Sequence, residues 1–257
     1  MIMTIELRWL TAVMLVSIRL GVVFLLTPVF SLVGLPVNVR VLLVLALAAM
    51  LVSGMAGNLY AAVPTAPGAL AVAALNELAL GSLLAFALLA GFAAFQLGGR
   101  ILDIQLGFGV AQLIDPTTRA QAPLLGTILN MAAVLLFFAI GGHRLLLKGL
   151  AFSLYAVPPG SSLSGIPVRL LIEQFGAMFV NATLVAGPVV IVVLMVDVAL
   201  AIMSRTLPQL NIFIIGLPLK ILVGLVVLAI AMGSFAPVFS RIFAGLFENW
   251  QAVLSSY

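Results

Sequence analysis

The 257-residue sequence contains no cysteine, one histidine and very few charged residues. The lack of cysteine excludes disulfides, thiolate catalysis and cysteine-ligated metals. A zinc or iron site needs several ligands, and His143 has no second histidine to complete one. Only 7% of the residues are charged, against about 25% in soluble domains. The chain therefore has too few polar side chains to cover a surface that faces water.

Motifs for catalysis and nucleotide binding are also missing. There is no Gly-x-Ser-x-Gly turn and no phosphate-binding loop that ends in Gly-Lys-Ser or Gly-Lys-Thr. The net charge of +4 comes from scattered residues, and no basic run exceeds two residues, so no nucleic-acid-binding surface is indicated. The sequence therefore predicts no enzyme, no catalytic residue, no cofactor, no metal site and no nucleic-acid partner.

Long apolar runs are what the sequence has instead. Hydrophobic residues make up 65% of the chain, and residues 41–76, 78–99, 120–142, 174–196 and 221–240 carry no charge. A helix needs about 20 apolar residues to cross the hydrocarbon core of a bilayer. The sequence therefore predicts an all-α integral membrane protein of about six long apolar helices arranged as hairpins. These segments lie near residues 9–33, 37–60, 70–97, 124–140, 175–196 and 212–232, and a short amphipathic helix is predicted within 235–257.

The first segment is predicted to be a retained helix and not a signal peptide. Arg19 interrupts its apolar run, and no small-residue cleavage pattern follows. An ionisable group inside a span costs several kcal/mol and usually faces a partner or water. Arg19 is therefore interpreted as part of a buried ion pair or as a snorkelling side chain, with a role in transport as the alternative. Glu77 is interpreted as an acid near a helix start, and Asp197 as an interfacial residue.

The interval 98–123 differs from the rest because it is rich in glycine and charge. It is predicted to be a flexible polar loop, in which Arg100 and Asp103 pair if they lie on a helix. Glycines elsewhere are expected to allow close packing of helices, and they are Gly21, Gly81, Gly91, Gly176 and Gly187. The string Gly-Leu-Pro occurs at 34–36 and at 216–218, and both copies predict the bend of a helical hairpin, by duplication or by chance.

The positive charges give no membrane orientation. With six spans, five Arg or Lys residues fall on each side. Two explanations stay open: one span is miscounted, or some helices do not cross a bilayer in the ordinary way. In the second case the hairpins would be held against partner proteins.

Two stretches resemble the FliR family of the type III secretion export apparatus. In residues 99–130 the resemblance is carried by Gly107-Phe108-Gly109, by Asp115-Pro116 and by Gln121. In residues 192–224 it is carried by Asp197, Ser204-Arg205, Pro208-Gln209, Asn211 and Gly216-Leu217-Pro218-Leu219-Lys220. The order and spacing of both stretches also fit, and the resemblance extends over essentially the whole chain.

This resemblance implies a structural channel subunit of the flagellar export gate, in the bacterial inner membrane at the basal body. It implies assembly with FliP-like and FliQ-like membrane subunits and other export-apparatus proteins, in contact with lipid. Unfolded flagellar proteins would pass through the channel. One membrane domain is expected, with a FliP-like part at about 1–170, which contains the loop 98–123, and a FliQ-like hairpin and tail at about 171–257.

The resemblance also implies roles for particular residues. A plug of the closed channel would include Leu106, Gly107, Phe108, Gly109, Val110, Leu113, Asp115 and Pro116. Contacts with neighbouring subunits would involve Arg205, Gln209, Asn211, Pro218 and Lys220. Two alternatives stay open: the injectisome counterpart of the same family, and a small-molecule transporter, which would use midplane polar groups and an inverted repeat.

Overall fold

The computed structural model describes residues 2–28, 36–54, 63–108, 123–161, 168–207 and 212–255. Within these residues the regular structure is entirely helical, which confirms the predicted fold class. The helices are α1 (Ile2–Leu26), α2 (Val37–Gly54), α3 (Pro67–Leu106), α4 (Leu124–Ala139), α5 (Gly142–Ala156), α6 (Val168–Thr206), α7 (Ile212–Met232) and α8 (Phe235–Ser255).

The number of apolar helices agrees with the prediction. In the described part of the chain, α1, α2, α3, α6 and α7 are long and apolar enough to cross a membrane. A sixth span results if α4 and α5, which are separated by a short break, count as one. The predicted amphipathic tail is also confirmed, because α8 buries Phe239, Phe243 and Leu246 while Ser240 and Arg241 are exposed.

Two predicted breaks are wrong. The helix α3 continues through residues 98–106, which were expected to be a flexible loop, because buried Leu102 and Leu106 extend its apolar face. The helix α7 runs through Pro218 without a break, so Gly216-Leu217-Pro218 is not the bend of a hairpin. Apolar helices accept an internal proline when neighbouring groups satisfy the backbone. The connection between α6 and α7 instead lies between Thr206 and Ile212.

One compact unit consists of residues 1–90, 141–174 and 244–257. In it α2 buries a stripe at four-residue spacing, Val44, Ala48 and Val52, as one face of a helix should. Gly81 of α3 is needed for close packing, because a Cβ there would lie 2.8 Å from the carbonyl oxygen of Arg19. The packing role predicted for Gly81 is thus confirmed.

A second compact unit consists of residues 91–140 and 175–243. Its core contains a cluster of aromatic rings whose centroids lie 4.3–5.6 Å apart, formed by Phe92, Phe95, Phe137, Phe239 and Phe243. Among the described residues, no atom lies within 4 Å of a Cβ added to Gly176 or Gly187 of α6, so the packing role expected for these two glycines stays a prediction. The predicted division near residue 170, which rests on likeness to two other proteins, stays a prediction.

Candidate functional site

The structure describes only part of the predicted site. Of the proposed plug it describes Leu106, Gly107 and Phe108, and of the proposed subunit contacts it describes Arg205, Pro218 and Lys220. The remaining predicted residues lie outside the described ranges, and they are Gly109, Val110, Leu113, Asp115, Pro116, Gln209 and Asn211. The roles of all these residues stay predictions.

Gly107 ends α3 in a Schellman motif. The N–H of Phe108 donates to the carbonyl of Asp103 at 3.0 Å, and the N–H of Gly107 donates to the carbonyl of Ile104 at 3.2 Å. Gly107 has φ +83°, which side chains with a Cβ rarely adopt. Gly107, which the resemblance places in the plug, therefore also has a local structural role at the C-terminus of α3.

Asp103 caps the start of α4 from a distance. Its two carboxylate oxygens accept hydrogen bonds from the N–H groups of Leu125 and Gly126, at 3.0 and 3.1 Å, and the residue is buried. The helix has no cap of its own, because Pro123 precedes it and makes no side-chain hydrogen bond. A negative group at a helix N-terminus is also favoured by the helix dipole. The expected pair with Arg100, which is exposed, does not form.

The Asp103 carboxylate holds the C-terminal end of α3 against the N-terminal end of α4. Beside it, α3 and α4 approach so closely that a Cβ on Gly99 would lie 2.6 Å from the backbone nitrogen of Gly126. The base of the predicted plug is thus held at both ends by contacts within one compact unit. The residues before Gly107 are helical, and the hydrogen bonds of Asp103 fix the end of this helix to α4.

The end of α3 also packs on one face of α7. The buried side chain of Leu106 occupies the space that a Cβ on Gly224 would need. About two turns earlier on α7, a methyl group of Leu217 lies 2.7 Å from where a Cβ on Gly107 would lie. Leu217 and Gly224 are seven residues apart and therefore share a helix face. Glycine at both contact points is what permits this approach.

Lys220 forms an ion pair within the chain. Its Nζ lies 2.8 Å from Oδ2 of Asp197 on α6, and the two side chains are 20% and 40% exposed respectively. Lys220 directly follows the string Gly-Leu-Pro-Leu at 216–219, at which the bend of a hairpin was predicted, but it lies inside α7 and therefore not at a bend. The pair links α6 to α7 and lies between the Leu217 and Gly224 contacts along the sequence of α7.

A buried ion pair in the other unit connects three helices. The Nε and Nη2 atoms of Arg19 on α1 donate to the two carboxylate oxygens of Glu77 on α3, at 2.6 and 2.9 Å. Arg19 also donates to the carbonyl groups of Ser153 and Val157, at 2.9 and 3.0 Å. The N–H of Gly160 completes the network at 3.4 Å from Glu77. Both charged side chains are no more than 3% exposed.

The interpretation of Arg19 as part of a buried ion pair is thus confirmed, but the interpretation of Glu77 as an acid near a helix start is wrong. Glu77 lies ten residues after the start of α3, where the helix dipole no longer acts. A signal for the pairing was present in the sequence. Glu77 is the only charged residue between Val41 and Gly99, so it needed a buried partner, and Arg19 had the same need.

Within the described ranges there is no group of three or more His, Asp or Glu side chains that could hold a metal ion. The candidate site is therefore a set of helix-end and ion-pair contacts around residues 98–123 and along α6 and α7. Such contacts position backbone and side chains.

A sequence model of the family described as "Bacterial export proteins, family 1" matches residues 10–246. The chain belongs to this family. Family membership confirms the resemblance seen in the two sequence stretches. Together with the apolar helices, it makes this member of the bacterial export proteins a membrane protein of the export apparatus.

Several curated proteins are similar to this family member. Flagellar biosynthetic protein FliR of Bacillus subtilis (strain 168) is 35% identical over 167 residues, which are 63% of this chain and 64% of the relative. FliR of Escherichia coli (strain K12) is 31% identical over 183 residues, or 71% and 70% of the two chains. Yop proteins translocation protein T of Yersinia pestis is 29% identical over 158 residues, 60% of each. The aligned part thus spans slightly less than two thirds of the Bacillus relative.

Proposed function

We propose that this protein is a structural channel subunit of the flagellar type III export gate in the bacterial inner membrane, at the basal body. It assembles with FliP-like and FliQ-like membrane subunits and passes unfolded flagellar proteins. The observation that carries the proposal is the family match over residues 10–246, since its similar relatives include proteins named flagellar biosynthetic protein FliR. The family is one of export proteins, and the proposal includes no catalytic step.

The surface of α6 supports a role inside a larger membrane assembly. Large apolar side chains are exposed along it from Phe175 to Met203. At 1.5 Å per residue this stretch is about 42 Å long, whereas the hydrocarbon core of a bilayer is about 30 Å thick. Lipid alone therefore does not cover all the exposed apolar side chains on this helix. We infer that helices of partner subunits cover the rest, and the even split of Arg and Lys between the two sides of six spans is compatible with such an assembly.

We further propose that residues 106–116 plug the closed channel. Phe108, Val110 and Leu113 are apolar groups that block a water-filled pore by dewetting. The anchoring of the preceding residues supports this role, because a plug needs a fixed base. Leu106 and Gly107 are the fixed end of this segment on α7, Asp103 fixes the same end at α4, and the residues from Phe108 onward block the pore.

Contacts with neighbouring subunits are proposed for Arg205, Gln209 and Asn211, at and near the connection between α6 and α7, and for Pro218 and Lys220 within α7. Arg205 is exposed at the end of α6, and Pro218 is exposed on α7. The division into a FliP-like part and a FliQ-like hairpin belongs to the same proposal. These residues then mark where the hairpin meets the next subunit.

The proposed function is tested by the native mass of the tagged protein, extracted in mild detergent from its own host. We expect one large complex that contains this chain and two smaller membrane proteins. A chain that runs alone or as a simple dimer, under conditions that preserve other membrane assemblies, would contradict the proposal.

Deletion of residues 109–114 is expected to open the channel. Gly107 and Phe108 are kept because their N–H groups close the C-terminal end of α3. Ion conductance through the assembled complex, measured in planar bilayers, should rise well above the wild-type level. A matched control changes Val110 to Leu and Leu113 to Ile, which keeps the apolar groups and should keep the channel closed. Unchanged conductance in a fully assembled deletion complex would refute the plug.

The injectisome counterpart is the second candidate function. It is favoured by the 29% identity to Yop proteins translocation protein T. The two candidates differ in the phenotype of a deletion strain. Loss of motility with intact injection of effector proteins indicates the flagellar branch, and the reverse result indicates the injectisome branch.

A further inference from the structure

Asp197 is a charged residue that the proposed function does not yet use. It lies on α6 at the end of a run of 23 residues, 174–196, that carries no charge. It also lies in a helix that is long and apolar enough to span a membrane. An ionisable group in such a helix usually marks a functional or packing site with a specific partner.

The internal partner of Asp197 satisfies only one of its two oxygens. Lys220 Nζ contacts Oδ2 at 2.8 Å, and within the described part of the chain Oδ1 accepts no hydrogen bond. The Asp197 side chain is also twice as exposed as that of Lys220, 40% against 20%. The carboxylate is therefore the end of the pair that faces outward.

The surface around this carboxylate is apolar. Leu194 and Val198 beside it on α6 are each more than half exposed, and Leu222 of α7 is 62% exposed. A surface of this kind is covered by lipid or by another protein. A half-exposed carboxylate within it needs a hydrogen-bond donor, since an unsatisfied polar group in an apolar setting costs several kcal/mol. Lipid chains supply no donor.

We propose that Asp197 is a docking point for a cationic side chain, Lys or Arg, on an apolar helix of a partner subunit. The partner's cation meets Oδ1 while Lys220 holds Oδ2, so one carboxylate joins two chains. The exposed second oxygen of the Asp197 carboxylate and the exposed apolar side chains around it are the observations that select this partner. The inference rests on the proposed function, because it names one contact within the export-gate assembly.

The first test compares two neutral variants of the full chain in its own host, by the fraction of tagged protein found in the large complex. Asp197→Asn should reduce that fraction on the order of ten-fold, as expected when a charge-assisted hydrogen bond is lost. Lys220→Met should reduce it less, because the partner still meets the carboxylate. An equal loss for both variants would overturn the docking point, because the Asp197 carboxylate would then matter no more to assembly than Lys220 does.

The second test exchanges the charges. Asp197→Lys combined with Lys220→Asp restores an internal ion pair, but it places a positive charge at position 197 opposite the proposed cationic side chain of the partner. The exchanged chain should match the wild type in thermal stability in detergent and still assemble poorly. Assembly at the wild-type level would overturn the docking point. Glu173→Gln is the matched control, because it neutralises an exposed carboxylate on the same helix and should leave assembly unchanged.

The two proposals fail in different ways. A wild-type chain found outside any complex contradicts the export-gate function itself. A wild-type chain within the complex, together with an Asp197→Asn chain that assembles equally well, contradicts only the docking point. Suppressor selection on a non-motile Asp197→Lys strain adds a direct readout, because restored motility should map to an acidic substitution in another membrane subunit.

Discussion

The change of Arg19 to Met is expected to lower the free energy of unfolding by about 3–5 kcal/mol, because it leaves a buried carboxylate without its counter-ion. Glu77 is 3% exposed, and Arg19 supplies two of its hydrogen bonds. The carbonyl of Val157 loses its donor as well. Unfolding of the purified chain in detergent, followed by circular dichroism against added denaturant, measures the loss.

The double variant Arg19→Met with Glu77→Gln distinguishes this mechanism from simple loss of packing. Removing both charges should leave the protein more stable than Arg19→Met alone, because no unpaired charge remains buried. Arg169→Met is a suitable control, since Arg169 belongs to an exposed pair with Glu173 and such pairs contribute at most about 1 kcal/mol. Additive losses in the double variant would show that the two buried charges are not coupled.

Asp103→Ala is expected to destabilise the protein by about 1–3 kcal/mol for each N–H group that is left buried without an acceptor. Two such groups, those of Leu125 and Gly126, depend on Asp103. Asp103→Asn keeps one acceptor oxygen and should fall between the wild type and Asp103→Ala. The free energy of unfolding of the three proteins under identical conditions tests this order.

Arg100→Ala is the matched control for Asp103. If Arg100 and Asp103 supported each other as an i,i+3 pair, both alanine variants would lose similar stability. The structure instead gives Asp103 two backbone partners and leaves Arg100 exposed, so Arg100→Ala should stay within about 0.5 kcal/mol of the wild type. Comparable losses for the two variants would refute the capping role.

The apolar helices were predictable because their signal is local. A run such as 78–99 is long enough to identify α3 wherever it packs. The end of α3 was not predictable in the same way. Glycines and charges in 98–106 predict a loop, but the side chains of Leu102 and Leu106 find buried positions that keep the helix intact. Tertiary packing therefore overrides local composition there.

For the polar contacts, the sequence predicts which side chains require a partner, but it does not predict which residue that partner is. The sequence shows that Arg19 requires a partner, but Glu77 lies 58 residues away, and Ser153 lies 134 residues away. Asp103 was assigned to its sequence neighbour Arg100 because helix periodicity reports only contacts within one helix. Its true partners, the N–H groups of α4, become visible only when α3 and α4 are placed together. The pairing of Lys220 with Asp197 was not predictable either, because these residues lie on different helices.

The buried network around Arg19 also constrains how the chain enters the membrane during synthesis. The ribosome makes Arg19 long before Glu77, and longer still before Val157, which follows it by 138 residues. An arginine at the centre of an inserting helix costs about 2.5–3.5 kcal/mol. The nascent α1 therefore meets this cost alone until α3 has left the ribosome. The ion pair that offsets this cost thus forms only after Glu77 has been synthesised, 58 residues after Arg19.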